Sequence, residues 1–213
     1  MRVRVQFSKT DAMRYTGHLD LHRAWERTFR RAGLPLAYTQ GFSPHPRLNL
    51  AAALPLGFTS QHDLIDAWLE QELPAAEVTA ALERAAPPGV RIEDVQIVDD
   101  RAPTLQTILL ASEYHITLLE PLPEVEERLA ELLASPSLPR HRRGKDYDLR
   151  PLILSAELLP PGADGHTCLL TQLSAREGAT GRPEELVQAL GGDPLATRVH
   201  RTRLIFIEAE EVV

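Results

Sequence analysis

The order of strand-like and helix-like patterns along the chain restricts the fold more than any other feature. Residues 3–7 alternate apolar and polar side chains, which predicts a half-buried strand. A helix is predicted at 19–32, and its apolar face consists of Leu21, Ala24, Trp25, Thr28, Phe29 and Ala32. Gly33 and Pro35 predict its end. Further strands are predicted at 48–54, 62–69 and 90–98, and a second helix at 77–86.

The second half of the chain repeats this order. Strand patterns cover residues 114–119, 152–159, 168–173 and 203–209, and helical patterns cover 123–134 and 183–190. Each half therefore follows a β-α-β-β-α-β order, which is the ferredoxin-like arrangement. We predict an α+β protein of two tandem ferredoxin-like units with antiparallel sheets, with an N-terminal domain at 1–100 and a C-terminal domain at 108–213.

Charge is distributed unevenly along the sequence. The 213 residues carry a net charge of −7, yet residues 1–50 contain nine Lys or Arg and three acids, a net of +6. Residues 51–213 consequently carry −13. A positive segment in an acidic chain favours an anionic partner over a general effect on solubility.

Cysteine content and hydropathy exclude several classes of protein. The single cysteine, Cys168, lies in an apolar strand pattern that predicts a core position, and it rules out an internal disulfide. It also rules out an iron–sulfur cluster or cysteine-rich zinc site built by this chain alone. No apolar run approaches the ~20 residues that cross a bilayer, and the basic N-terminus lacks the apolar stretch of a signal peptide. We expect a cytoplasmic protein with no membrane partner and with no cofactor or metal of its own.

The first predicted helix carries a basic stripe opposite its apolar face: Arg23, Arg27, Arg30 and Arg31. Guanidinium groups stay charged and offer planar sets of donors that suit phosphate or carboxylate. The alternative is a solvated outer face, stabilised by Asp20 three residues before Arg23 and by Glu26 four residues before Arg30. The absence of lysine from this helix favours binding.

Two short segments beside this helix contain candidate histidines. In the loop at 41–47, Gly41 permits a sharp turn, and two prolines flank His45 and favour an extended backbone, with Phe42 and Arg47 nearby. His45 could act as an acid, a base or a cationic donor near neutral pH. At the helix start, His18 and Asp20 could orient an anion or cap the helix. The alternative for the loop is a rigid connection into the next strand.

A second basic patch lies at residues 140–151. Its candidate ligand-binding residues are Arg142, Arg143, Lys145, Tyr147, Asp148 and Arg150. Basic residues interleaved with an aromatic residue are typical of single-stranded nucleic-acid grooves, although a solvated loop is the alternative. The common phosphate-loop, dinucleotide-binding, zinc-protease and serine-hydrolase motifs are absent, and no histidine pair has metal-binding spacing.

The segment at 14–47 resembles the bacterial radical-SAM-linked protein family, a domain of unknown function encoded beside or fused to a radical SAM protein. The matching residues are Arg14, Tyr15, His18, Leu19, Asp20, Arg23, Arg30, Arg31, Ala32, Leu34, Pro35, Gly41, Phe42, Pro44, His45, Pro46 and Arg47. Gly17 replaces the usual serine, and Arg27-Thr28 stands where Arg-Ala is more common. The run from Asp148 to Pro151 also resembles a family motif.

The resemblance implies a partner enzyme that would carry the iron–sulfur cluster and S-adenosylmethionine. The genomic neighbourhood of the family, near ribosomal-protein and RNA-processing genes, further implies RNA, either tRNA or rRNA. The predicted tandem architecture is also similar to that of CRISPR repeat-processing endoribonucleases, although a shared fold does not establish an activity.

Three functions remain open from the sequence. The first is a non-catalytic RNA-binding or substrate-positioning protein that works with a radical SAM enzyme. The second is a metal-independent RNA-cleaving or RNA-modifying enzyme, with His18 or His45 as general acid or base. The third is a protein-interaction adaptor that does not bind nucleic acid.

Overall fold

The computed structural model describes residues 1–142 and 144–207. Contacts between Cα atoms divide the chain into two compact units, Met1–Leu109 and Leu110–Val213. Both units combine helices with antiparallel strands, so the α+β class is confirmed. No helix in the described ranges is long and apolar enough to cross a bilayer.

The first unit contains four strands and three helices: β1 (Arg2–Lys9), α1 (His18–Arg31), β2 (Leu48–Leu50), β3 (Phe58–Trp68), α2 (Ala75–Ala85), β4 (Val90–Val98) and α3 (Leu105–Ile108). A 3-10 turn at Asp11–Met13 follows β1. The strands lie in the order β4-β1-β3-β2, and all three neighbouring pairs are antiparallel. Val5 at the centre of β1 is opposite Ile65 of β3 and Val95 of β4.

The apolar faces of α1 and α2 form the core of this unit with the sheet. Trp25 of α1 packs edge-on against Phe7 of β1, with ring centroids 4.8 Å apart. Leu21 and Phe29 are buried on the same face of the helix, as the periodicity predicted. Val78 and Leu82 of α2 belong to the same cluster of buried side chains.

Three strands of the first unit differ in extent from the prediction. β1 (Arg2–Lys9) extends beyond the predicted 3–7 at both ends. The strand predicted at 48–54 ends at Leu50, because the chain bends at Ala51 and Ala52 and then turns at Gly57, which has a φ of +87°. The strand predicted at 62–69 already begins at Phe58. The polar residues before His62 hide this extension in the sequence, although Ser60 is buried opposite Lys9 of β1.

The half-buried strand predicted at 3–7 is confirmed, because Val3, Val5 and Phe7 are buried while Arg4 and Gln6 stay partly exposed. Arg2, one residue before the predicted start, is an exception on the polar face of β1. Arg2 is 1% exposed and pairs with the fully buried carboxylate of Asp66. Its guanidinium also donates to the carbonyl oxygens of Ala102 and Pro103. The charge is tolerated because buried donors and acceptors are paired.

In its described residues, the second unit contains two further helices and seven strands: β5 (Leu109–Leu118), α4 (Val125–Ala134), β6 (Pro139–Arg142), β7 (Lys145–Asp148), β8 (Ile153–Leu159), β9 (Thr167–Arg176), β10 (Ala179–Thr180), α5 (Pro183–Ala189) and β11 (Thr197–Phe206). Within this unit β11, β5, β9 and β8 are successive neighbours. The short β10 pairs with the end of β9, and β6 and β7 form a separate hairpin.

The core of the second unit is built from strands β5 and β9 and helix α5. Ile116 of β5 and Leu169 of β9 are opposite each other in the sheet, and both are fully buried. Leu186 and Val187 of α5 are also fully buried. Cys168 is buried, which confirms its predicted core position. The strand predicted at 203–209 instead begins at Thr197, and residues 208 and 209 lie outside the described ranges. The basic patch at 140–151 contains most of the β6–β7 hairpin, which the sequence analysis did not predict.

Candidate functional site

The loop that contains His45 is closed by backbone hydrogen bonds at its base. The Arg47 amide donates to the Ala37 carbonyl at 2.8 Å, and the Thr39 amide donates to the His45 carbonyl at 2.8 Å. The His45 amide in turn donates to Thr39 Oγ1 at 3.0 Å. Trp68, the last residue of β3, bonds to both sides through Ala37 and Arg47. We call residues 37–47 the ribbon loop.

The tip of the ribbon loop presents an aromatic side chain to solvent. Gly41 has a φ of +133°, a conformation that favours glycine, as expected from the sequence. Phe42, the next residue, is fully exposed. The ring is therefore accessible to any ligand that stacks on an aromatic face.

Arg47 is held over an aromatic platform. Its guanidinium carbon lies 4.5 Å from the centroid of Trp68, and that of Arg2 lies 5.1 Å from the same ring. The indole Nε1 of Trp68 donates to Asp100. These cation–π contacts orient Arg47, whose residue as a whole remains exposed.

The arginine stripe of α1 adjoins the ribbon loop through Arg30. Its Nη2 donates to Tyr38 Oη at 3.2 Å, and the side chain also pairs with Glu26 at 2.7 Å. The hydrogen bond to Tyr38 and the charge of Glu26 raise the pKa of Arg30, which keeps the group charged. Arg23 pairs with Asp20 at 3.3 Å.

Two arginines of the stripe remain unpaired. Arg27 and Arg31 are exposed, and neither has an ion-pair or hydrogen-bond partner for its guanidinium among residues 1–142 and 144–207. Paired arginines lose part of their attraction for a ligand, whereas unpaired ones keep it. Arg27 and Arg31 are therefore the strongest anion-binding candidates of the stripe.

Arg14, His18 and Asp20 lie at the opposite end of α1. Gly17 is the N-cap of α1 and, having no side chain, makes no capping hydrogen bond. Arg14 pairs with Asp11. Arg30 lies three turns beyond His18, about 18 Å along the helix axis. The bonds to the ribbon loop therefore involve the half of α1 that is remote from His18.

In the second unit, the β6–β7 hairpin and the start of α5 form a cluster of charged side chains. Arg142 Nη1 and Arg182 Nη1 each lie 3.4 Å from Glu185 Oε1. Tyr147 is half-buried beside them. Burial and the adjacent Glu185 carboxylate raise the pKa of Tyr147 to about 12. Lys145 is exposed, and Arg143 lies outside the described residues.

Asp148 and Arg150 have contacts that stabilise the backbone. Asp148 Oδ1 accepts from the amides of Leu138 and Arg150, and these bonds lower the pKa of its carboxyl group. The Arg150 guanidinium donates to the carbonyl oxygens of Leu133 and Ile153. Leu133 is in the last turn of α4, where a cation also compensates the helix dipole. Both side chains thus stabilise the local backbone, and the ligand-binding role predicted for them stays a prediction.

Residues 2–183 match the family described as an uncharacterized protein conserved in bacteria, DUF2344. The chain belongs to the DUF2344 family. No curated protein matches it. In the described residues of this DUF2344 chain, no group of three or more His, Cys, Asp or Glu side chains is arranged to hold a metal ion.

Among solved structures, the DUF2344 chain is similar to a chain of a Cbf5-Nop10-Gar1 complex. The TM-score is 0.51 at 14% identity, and the match covers 98% of the DUF2344 chain and 50% of the other. The chain thus spans about half of the length of that relative. The likeness is one of fold.

Two further structures are less similar. A glycine cleavage system transcriptional repressor matches with 10% identity, 97% of both chains covered and a TM-score of 0.26. A dyp-type peroxidase protein from Shewanella oneidensis matches with 11% identity, 95% and 90% covered and a TM-score of 0.22. Neither score is high enough to define a common fold.

Several residues of these sites were missed by the sequence analysis. Tyr38 and Trp68 anchor the ribbon loop, and Arg182 and Glu185 complete the hairpin cluster. Tyr38, an aromatic residue three positions before Gly41, was a usable signal. No local pattern connects Arg182 or Glu185 with a hairpin about forty positions earlier, since Arg142 and Glu185 are 43 residues apart.

The raised pKa of Tyr147 predicts a distinct titration. The group titrates near pH 12 in the folded protein against 10.0 normally, so its stabilising contribution is present below pH 10 and is lost as the pH rises through about 12. We expect absorbance titration of the phenols to show a step near pH 12 that is absent in Tyr147→Phe. Glu185→Gln moves the step to lower pH, and Tyr15→Phe retains it. A step near pH 12 that persists in Tyr147→Phe contradicts the assignment.

Proposed function

We propose that this DUF2344 chain is a non-catalytic RNA-binding or substrate-positioning protein that works with a radical SAM enzyme. The binding surface consists of the ribbon loop and the arginine stripe of α1. One observation carries the proposal: a fully exposed aromatic ring, Phe42, lies at the tip of a loop that is anchored to a basic helix.

This combination suits single-stranded RNA. Phosphates attract guanidinium groups, and bases stack on exposed aromatic rings without strong sequence preference. Arg27 and Arg31 supply unpaired charge, and Arg47 supplies a guanidinium held in place over Trp68. His45, whose backbone is fixed by Thr39, lies between the ring and Arg47 in the chain and provides a further polar contact.

The radical SAM partner is proposed from the sequence resemblance at residues 14–47. Cys168 is buried and is the single cysteine of the sequence, so the cluster and S-adenosylmethionine would be held by the partner. In this scheme the chain contributes recognition of the RNA and the partner contributes the chemistry.

We further infer that both units are ferredoxin-like. The first has the element order β-α-β-β-α-β and the strand order β4-β1-β3-β2. In the second, β5, β8, β9 and β11 occupy the equivalent places in the order β11-β5-β9-β8. The β6–β7 hairpin and β10 are then additions to the second unit.

RNA binding is tested with a fluorescent single-stranded oligoribonucleotide and anisotropy measured between about 50 and 200 mM KCl. We expect the affinity to fall steeply with salt. Arg27→Gln combined with Arg31→Gln should lower the affinity and reduce the salt slope by about 0.7 for each phosphate that the variant no longer neutralises. Phe42→Ala should cost about 1–3 kcal/mol of binding and leave the salt slope unchanged, since stacking releases no counterions.

Arg84→Gln is the matched control, because Arg84 is an exposed arginine on α2 of the same unit. If the double variant, Phe42→Ala and the control all bind the RNA with equal affinity, the RNA does not bind at this surface. RNA cleavage that disappears in His45→Ala while binding persists would instead indicate the enzyme. Purified protein that does not bind RNA but co-elutes with the radical SAM protein would indicate the protein-interaction adaptor.

A further inference from the structure

A second candidate site lies in the second unit, in a cleft of about 620 Å³. The β6–β7 hairpin forms one wall and residues 178–182 form the other. The lining includes Arg142, Lys145, Tyr147, Leu152, Ala179 and Arg182. The volume falls within the range of about 300–1,000 Å³ that is typical of small-molecule sites.

The cationic groups of this cleft have more donors than acceptors. Arg142 and Arg182 share one oxygen of Glu185, at 3.4 Å each, although a guanidinium offers five N–H donors. Both side chains remain more than a third exposed. Lys145 has no partner for its ammonium among the residues that the structure describes. A ligand rich in acceptor oxygens would satisfy this surplus of donors.

The acids of the cleft are engaged elsewhere. Asp146 pairs with His141 at 2.7 Å, and Asp148 accepts from two backbone amides. Glu185 acts as an internal anion between the two arginines, and its second oxygen is buried without a hydrogen-bond partner among the described residues. A dianionic group with several oxygens is a better acceptor for both guanidiniums than this single carboxylate oxygen.

The remaining lining supplies an apolar wall. Leu152 and Ala179 border the cleft beside the ring of Tyr147. A ligand ring can pack against this wall while its charged end reaches the arginines. A nucleotide combines both features, a dianionic phosphate and a flat ring.

We propose that the cleft binds the terminal phosphate monoester of a nucleotide, with the phosphate on Arg142, Arg182 and Lys145 and the nucleoside against Tyr147 and Leu152. The phosphate belongs either to a free mononucleotide or to the phosphorylated 5′ end of an RNA. The site shares no residue with the ribbon loop or the α1 stripe, so it stands independently of the RNA-binding surface proposed above.

The proposal is tested by calorimetric titration of the purified full chain. The probes are adenosine 5′-monophosphate, adenosine and two short oligoribonucleotides, one with a 5′-phosphate and one with a 5′-hydroxyl. We expect at least one phosphorylated probe to bind and its unphosphorylated counterpart to bind at least tenfold more weakly. Comparable binding of the mononucleotide and the phosphorylated oligomer identifies a free nucleotide as sufficient. Much tighter binding of the phosphorylated oligomer identifies an RNA end.

Variants separate a binding site from a merely structural cluster. Arg182→Gln and Lys145→Gln should each weaken phosphate binding roughly tenfold, because each removes a charged donor. Glu185→Gln should tighten it roughly fivefold, because the competing negative charge is lost while the side-chain shape is kept. Arg176→Gln, on an exposed arginine at the end of β9, is the control and should leave binding unchanged.

Failure of the phosphorylated probes to bind overturns the proposal, as does equal binding with and without the phosphate. Unchanged or weaker binding in Glu185→Gln, with a melting temperature equal to that of the parent chain, overturns it as well. The Arg27 and Arg31 double variant should lose RNA affinity and keep nucleotide binding. That result shows that the cleft and the surface on the first unit are separate sites.

Discussion

Asp66→Asn should lower the free energy of unfolding by about 3–5 kcal/mol. The Asp66 carboxylate is fully buried and pairs with Arg2, which is 1% exposed, and with Arg4 at 2.8 Å. The amide keeps the shape of the side chain and removes its charge, so the Arg2 guanidinium stays buried without a counterion. Whole domains are stable by roughly 5–15 kcal/mol, so this single change removes a large part of the total.

Denaturant unfolding measures this effect, and Asp20→Asn provides the matched control. Asp20 also pairs with an arginine, Arg23, but both side chains are 67% exposed. Solvent screens that pair, so its loss should cost less than about 1 kcal/mol. If the free energy of unfolding of Asp66→Asn is within about 1 kcal/mol of the parent value, the buried cluster does not stabilise the first unit as the structure implies.

The consequences of Asp66→Asn should extend to the ribbon loop. Arg2 connects Asp66 with the face of Trp68, and Trp68 carries the guanidinium of Arg47 on its ring. We therefore expect faster hydrogen exchange at the Arg47 amide, which bonds to Ala37. In Asp20→Asn the exchange of that amide should not change.

Lys9→Met should lower the free energy of unfolding by about 3 kcal/mol. Lys9 at the end of β1 is fully buried, and its Nζ donates to the carbonyl oxygens of Thr16 and Phe58 at 2.8 Å and of Arg14 at 3.3 Å. Methionine matches the length of the side chain but donates nothing. Each buried carbonyl that is left without this donor costs about 1–3 kcal/mol, partly offset because no charge has to be buried.

The lysine connects β1 and β3 with the segment that enters α1, so the damage should be local as well as global. We expect faster exchange at the Gly57 amide, which bonds to Arg14, and unchanged exchange at the Thr39 amide in the ribbon loop. Lys145→Met is the control, because the other lysine of the chain is exposed and its loss should change stability by at most about 0.5 kcal/mol. Equal losses in the two variants contradict a special role for Lys9.

Much of the local structure was predictable because it depends on neighbours in sequence. The apolar periodicity located α1 within one residue at each end and identified Leu21, Trp25 and Phe29 as buried. The strand at Val90–Val98 was predicted with its observed bounds. Helical spacing also gave the pairs Asp20–Arg23 and Glu26–Arg30, which occur in the structure.

The candidate sites were predictable only in part. Phe42, His45 and Arg47 were identified together because they belong to one short loop, and the structure keeps them together on the ribbon loop. Arg150 and Asp148 were chosen for their charge, whereas their groups are occupied by backbone partners. A sequence shows which side chains are charged, but it does not show which of them already have hydrogen-bond partners within the fold.

The sequence by itself determined the order of the elements, the buried faces of the helices and the basic character of residues 1–50, since each depends on spacing or composition over a few turns. Tertiary structure decided which charges are buried and which are free. Arg2 pairs with Asp66, 64 residues later in the sequence, and Lys9 bonds to Phe58, 49 residues later. Arg27 and Arg31, by contrast, stay exposed. Such pairings follow from strand register and packing, which bring together groups whose separation along the chain carries no local signal.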